Sequence, residues 1–135
     1  MYLFDTDTLS NIVRPRPSRL LIDKLRNLPK AVQFTTAINV GEIYFGAYRS
    51  AKRDVLIRVF EEAVFPNVNI LPFDNESGKN FGFLKSELEK DGIGCSEPDM
   101  RIAAIAIQQH LTLVTGNTKH FKQIPGLKIE NWVSG

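Results

Sequence analysis

Four short apolar runs recur along the chain, at residues 2–4, 31–34, 68–71 and 111–115, and each gap between them can hold at least one helix. That spacing constrains the fold more than any other feature. Parallel strands cannot be joined by a hairpin; they need crossovers of a dozen or more residues, usually helical. When buried on both faces they read as continuous apolar runs, as these do. The intervening segments carry helical periodicity. Leu20, Leu21, Leu25 and Leu28 follow a candidate cap at Ser18 and stop before Pro29. Residues 37–48 carry Ile38, Val40, Ile43, Phe45 and Tyr48, and residues 52–65 carry Val55, Leu56, Val59, Phe60 and Ala63. Residues 75–90 place Phe81, Leu84 and Leu88 at helical spacing before Asp91-Gly92. Residues 100–110 are apolar nearly all round, the mark of a helix buried against a sheet. A short helix at 8–13, a helical turn near 118–121 and an edge strand at 128–132 complete the pattern. The chain therefore reads as an α/β fold, a single domain over residues 1–135, with a central parallel sheet of four to five strands flanked by helices.

Composition narrows the setting. The chain is 43% hydrophobic and 24% charged, as ordinary globular domains are. A net charge of +2 from 17 basic and 15 acidic residues is no polycation signature for nucleic acid, although acids gathered in one pocket would leave the remaining surface more basic. A lone cysteine, Cys95, excludes an internal disulfide and fits a reducing compartment. No charged leader with an apolar core opens the chain, and no apolar run approaches the roughly 18 residues of a membrane span. A cytoplasmic location and no membrane partner are expected.

The first apolar run ends in Asp5 and Asp7, with Thr6 and Thr8 interleaved. Ligands in open α/β sheets bind beyond the carboxyl ends of the strands, and right-handed crossovers bring those ends to one edge. Asp7 is expected to cap the first helix. Glu42 lies among apolar neighbours, so a partly buried carboxylate in need of a partner is expected. Asp99 stands three residues after Ser96, a capping-box spacing that would return its side chain to the Ser96 amide. Asn117 follows the fourth strand. With Asp7 counted, four carboxylates then converge on one pocket. Two unit charges about 4 Å apart repel by roughly 4 kcal/mol at an effective dielectric near 20. Such a cluster takes up protons or holds a cation, and oxygen-only ligands favour Mg²⁺ or Mn²⁺. An ion of that kind is suited to phosphodiester hydrolysis. Arg14, Arg16 and Arg19 lie on the loop after the acidic pair and are candidates to contact phosphate, as are Arg101 and Lys119. His110 and His120 read as surface histidines.

Several blocks carry a resemblance when taken together. Asp5-Thr6-Asp7 after its apolar run, Gly41-Glu42-Ile43-Tyr44-Phe45-Gly46, Pro98-Asp99 with the helix behind it, and Leu113-Val114-Thr115-Gly116-Asn117 resemble the four blocks of PIN-domain ribonucleases. Residues 124–132 are similar to the tail of the VapC-type toxins of bacterial toxin–antitoxin pairs. The likeness covers essentially the whole chain. It implies a Mg²⁺-dependent endoribonuclease in which Asp5, Glu42 and Asp99 hold one or two Mg²⁺ or Mn²⁺ ions. Asp5 and Asp99 would be the main ligands, and Glu42 would act through water. It also implies a homodimer and a cognate antitoxin, with the helices at 20–28 and 52–65 as candidate contacts. Two positions depart from the pattern. Asn117 stands where many members have a fourth carboxylate, and Asp7 stands where asparagine is common, so Asp7 can restore the missing charge. Thr6 and Thr115 are candidates to orient water or a carboxylate. The alternatives are a non-catalytic PIN-like module that binds RNA or protein, and an aspartyl-phosphatase of the haloacid dehalogenase type using Asp5 and Asp7. The latter pattern wants a threonine where Leu9 stands.

Overall fold

The computed structural model describes residues 1–134 and contains five short strands: β1 (Tyr2–Phe4), β2 (Gln33–Thr36), β3 (Asn69–Leu71), β4 (Thr112–Val114) and β5 (Ile129–Glu130). All pair in parallel, in the order β3-β2-β1-β4-β5. The crossovers are built from α1 (Thr6–Ile12), α2 (Arg19–Arg26), α3 (Ala37–Tyr48), α4 (Arg53–Val59), α5 (Asn75–Lys90), α6 (Glu97–Gln108) and α7 (Thr118–Phe121). The chain starts in the middle of the sheet, builds outward to one edge, then crosses back to the other side of β1. Strand order reverses between β1 and β4, and a crevice at such a point is where open α/β sheets take ligands.

Side-chain alternation along the strands divides the core. Leu3 and Leu113 are register partners, as are Phe4 and Val114. Leu3 and Leu113 pack on one face with Leu84, Leu88, Ile102, Ile105 and Phe121, from α5, α6 and α7. Phe4 and Val114 pack on the other face with Leu9, Leu21, Ile43, Phe60 and Trp132. Every residue from Met100 to Ala106 except Arg101 is buried, which explains the nearly uniform apolarity of α6. Trp132 meets Tyr2 and Phe4 edge-on at 4.8 and 5.6 Å between ring centres and ties the tail to β1.

Local departures from the sequence reading have physical causes. β1 stops at Phe4, and Asp5 rather than Asp7 caps α1, its carboxylate accepting from Thr6 N at 2.9 Å. Asp7 falls inside the first turn instead. β2 begins two residues later than expected because residues 30–32 form a 3₁₀ turn after Pro29, and Thr35 and Thr36 are extended and buried. The stretch 52–65 is not one α-helix. After α4 the chain widens into a π turn over Phe60–Val64, with Phe65 N–H reaching back to Phe60 O, and Phe65–Asn67 tightens into a 3₁₀ turn around Pro66. α6 begins at Glu97, with Pro98 in the first turn, where its missing N–H is harmless.

Candidate active site

The crevice between β1 and β4 centres on Asp5. As the residue capping α1 it is held where the strand ends, and it is 5% exposed. Oδ1 accepts from Thr6 N and from Asn39 Nδ2, both at 2.9 Å, and Oδ2 accepts from Thr115 Oγ1 at 2.9 Å. Thr115, the residue after β4, is fully buried, and its hydroxyl accepts in turn from Asn117 N at 3.0 Å. The same hydroxyl lies 3.3 Å from Asp7 Oδ1, while Asp7 Oδ2 accepts from Gly116 N at 2.7 Å. A Cβ at position 116 would sit 2.5 Å from Asp7 Oδ2 and 2.6 Å from Val133 Cγ2, so only glycine lets β4 approach Asp7 this closely.

The opposite wall comes from α3. Thr36 caps this helix and donates to Asn39 Oδ1 at 2.6 Å. Asn39 is fully buried, and its Nδ2 donates to Asp5 and, at 3.0 Å, to Thr6 Oγ1. The Thr6 hydroxyl then donates to Glu42 Oε1 at 2.6 Å. Asn39 and Glu42 are three residues apart and share one face of α3. Glu42 is half-buried, and Thr6 is the partner that the sequence reading required.

Asp99 enters from the start of α6. Ser96 Oγ accepts from its backbone N at 3.3 Å, but its carboxylate does not return to the Ser96 amide as the capping-box spacing suggested. Instead Oδ2 lies 3.5 Å from His120 Nδ1, and the side chain is 20% exposed. His120, read from sequence as a surface histidine, is 60% exposed and stands beside Asp99. Cys95 is half-buried beside it, with its thiol pushed up by burial and then by the nearby Asp99 charge.

Burial is the main reason that Asp5 is pushed up from 3.8 to about 6; the Asp7 and Asp99 charges add to the rise, while the Thr6 amide and the Thr115 hydroxyl oppose it. A carboxylate in this condition binds either a proton or a cation. Among the described residues no three Asp, Glu, His or Cys side chains stand close enough to hold an ion by themselves. Mg²⁺ does not require three, because it usually keeps several waters and takes one or two carboxylates. Asp5 Oδ2 has a single donor, the Thr115 hydroxyl, and so a lone pair to spare. The donor set around Asp5 suits a hydrated Mg²⁺ or Mn²⁺, which this carboxylate would hold.

Of the basic candidates, Arg14 and Arg16 are exposed on the loop before α2, and Arg19 is exposed at its first position. Arg14 lines a cleft of about 410 Å³ together with Thr6, Glu42, Ile43, Leu56 and Phe60. Lys119 lines a second cleft, of about 360 Å³, with Asp99 and His120. Arg101 is engaged elsewhere, with Glu97 at 3.0 Å and over the Phe81 ring at 5.2 Å. Asn117 is exposed; its backbone rather than its side chain touches the network. Sequence reasoning offered Thr36, with Thr35, as a cap of this helix but passed over Asn39. The available signal was a polar residue one helical turn before Glu42 and three positions after a pair of threonines.

Compared with known proteins, residues 2–127 match the profile of the PIN domain. The chain belongs to the PIN-domain family. The Ribonuclease VapC2 of Haemophilus influenzae is 33% identical to this PIN domain over 132 residues, 98% of each chain. The tRNA(fMet)-specific endonuclease VapC of Salmonella typhimurium is 27% identical over 131 residues, 97% of each. The crystal structure of VapBC2 from Rickettsia felis bound to a DNA fragment from its promoter superposes with a TM-score of 0.88 at 29% identity, covering 97% of this chain and 98% of that one. The resemblance seen in the sequence blocks holds across the whole chain, and this PIN domain is of the VapC type.

Proposed function

We propose that this protein is the RNA-cleaving toxin of a toxin–antitoxin module, a divalent-cation-dependent endoribonuclease centred on Asp5. The observation that carries the reading is the buried Asp5 carboxylate at the switch crevice of a VapC-type PIN domain, aimed by Asn39 and Thr115 and pressed by Asp7 and Asp99. Bound there as one or two ions, Mg²⁺ or Mn²⁺ would polarise the phosphoryl oxygen and sharpen water as a nucleophile. The chain's own residues prepare that chemistry. Asn39 and Thr6 form one hydrogen-bonded brace that fixes Asp5 and Glu42 relative to each other. Glu42, less buried than Asp5, is the group placed to orient the attacking water and take its proton. Asp7, locked by Gly116 N, supplies the negative charge that Asn117 lacks. Arg14, Arg16, Arg19 and Lys119 receive the phosphates on either side of the cut, so RNA binding weakens as salt rises.

The cleft beside Glu42 is lined largely by apolar side chains, among them Val13, Ile43, Leu56 and Phe60. A cognate antitoxin would lay an apolar segment there, against α1 and α4, and so cover Glu42. A homodimer in the cytoplasm completes the reading; sedimentation of the purified chain gives its mass.

The nuclease reading is tested by incubating total RNA with wild type and Asp5→Asn, with and without Mg²⁺, and mapping the cut ends. New ends are expected only from wild type with Mg²⁺. The same products from both proteins would remove Asp5 from the mechanism and the proposal with it.

A further inference from the structure

The loop that joins α1 to α2 is cationic, exposed and yet firmly anchored. Arg14, Arg16 and Arg19 are all exposed, and among the described residues none of them makes an ion pair. A surface loop of this kind is ordinarily mobile, because few contacts offset the entropy of ordering its backbone. Here one residue closes both ends. Asn11 lies in the last turn of α1 and is 6% exposed. Its carbonyl oxygen accepts from Arg14 N at 3.2 Å, and its side-chain Oδ1 accepts from Ser18 N at 2.7 Å. Ser18 caps α2 and also donates from Oγ to Trp132 O at 2.9 Å, which ties the far end of the loop to the C-terminal tail. Between these anchors Pro15 and Pro17 fix φ at their own positions and narrow the backbone of Arg14 and Arg16 before them. The loop also opens on the acidic site, since Arg14 and Pro15 line the same cleft as Thr6, Ser10 and Glu42. Burying an asparagine and ordering like-charged arginines both oppose folding. Both are offset when a polyanion binds a surface that is already in place.

We propose that Asn11 is a positioning residue for RNA: by closing both ends of the 13–18 loop it holds Arg14 and Arg16 in the arrangement that takes up backbone phosphates beside the cut. The loop's backbone is ordered during folding, so RNA binding is spared that entropy. Charge selects the ligand, because an unpaired guanidinium presents a fork of donors that matches the oxygens of a phosphate. Asn11 touches no reacting atom and acts through the two arginines. The inference rests on the nuclease reading above.

The test uses an RNA carrying one of the cut sites mapped on total RNA, with kcat and KM measured at fixed salt. Asn11→Ala should raise KM about five- to tenfold, the worth of one hydrogen bond, and leave kcat within about twofold of wild type. Made on top of Arg14→Ala and Arg16→Ala, the same substitution should raise KM no further, because the loop then has no guanidinium left to aim. Pro15→Gly loosens the loop at an exposed position and should repeat both results in milder form. Thermal melts check that each variant is folded, and should Asn11→Ala unfold, Pro15→Gly decides alone. An unchanged KM would overturn the assignment. A rise of equal size with and without the arginines would overturn it too, since that is what a general loss of folding produces. Either result leaves the nuclease reading intact. No cleavage of total RNA by wild type would overturn both.

Discussion

Replacing Asp5 by asparagine should make the cation-free protein more stable at neutral pH while ending its activity. Folding raises the Asp5 carboxyl from 3.8 to about 6, chiefly through burial. At ~1.4 kcal/mol per pH unit, keeping this group ionised at pH 7 opposes folding by about 3 kcal/mol. An amide fits the same place. Its oxygen would accept from Thr6 N and Asn39 Nδ2 as Oδ1 does now. Its nitrogen would donate to Thr115 Oγ1, whose hydroxyl can turn to Asp7 Oδ1 at 3.3 Å. With burial of a polar amide set against the gain, a net of about 2 kcal/mol remains, or roughly 6–10 °C in melting temperature for a chain of this size. The pH dependence has a definite sign. The native state holds this proton more tightly than the unfolded chain, so the contribution is fully present below pH 3.8 and is lost as pH rises through about 6. The gap between Asp5→Asn and wild type should therefore be small at pH 4 and complete by pH 7. Thermal melts in chelator at one-unit intervals measure it. Added Mg²⁺ should close the gap by raising wild type alone. A gap of equal size at pH 4 and pH 7, or a wild type more stable than the variant at pH 7, would refute the account of Asp5 as a carboxylate forced into a buried, negatively charged setting.

Other consequences are more local. Asn39→Leu should remove one donor from Asp5 and leave the Thr36 hydroxyl without its buried acceptor, costing about 1–3 kcal/mol by denaturant titration and slowing RNA cleavage. Gly116→Ala should drive a methyl into Asp7 and Val133; cleavage should fall sharply, and chemical shifts of the 5–7 and 114–117 amides should report the displacement. Trp132→Ala should cost about 3–5 kcal/mol in urea unfolding, because the ring is 2% exposed and packs on Tyr2 and Phe4.

Much of this molecule is legible in its sequence because its strongest signals are local. α5 runs from Asn75 to Lys90 as its periodicity and the Asp91-Gly92 stop require. The apolar run before Asp5 marks β1, and the alternation of runs with helices marks a parallel sheet. The errors lie where a residue's role depends on a distant partner. Asp7 has good local reasons to cap α1, but the segment after β4 offers Gly116 N and Thr115 Oγ1 more than a hundred positions later, and that long-range partner decides its place. On local grounds either Thr35 or Thr36 could cap α3; pairing with β3 makes both strand, and Thr36 is the one that caps. Asn39 went unread because a single asparagine in an apolar helix carries no periodic signal. It becomes visible only when Asp5 and Thr6 arrive beside it. His120 is similar: nothing near it in the chain announces that Asp99 faces it.

The placement of β1 at the centre of the sheet has a consequence for synthesis. Asp5 is made well before the groups that aim it: Asn39 follows soon after, but Thr115 comes 110 positions later, beyond β4. A growing chain therefore carries this carboxylate long before it can orient it, and the network closes only when β4 docks against β1.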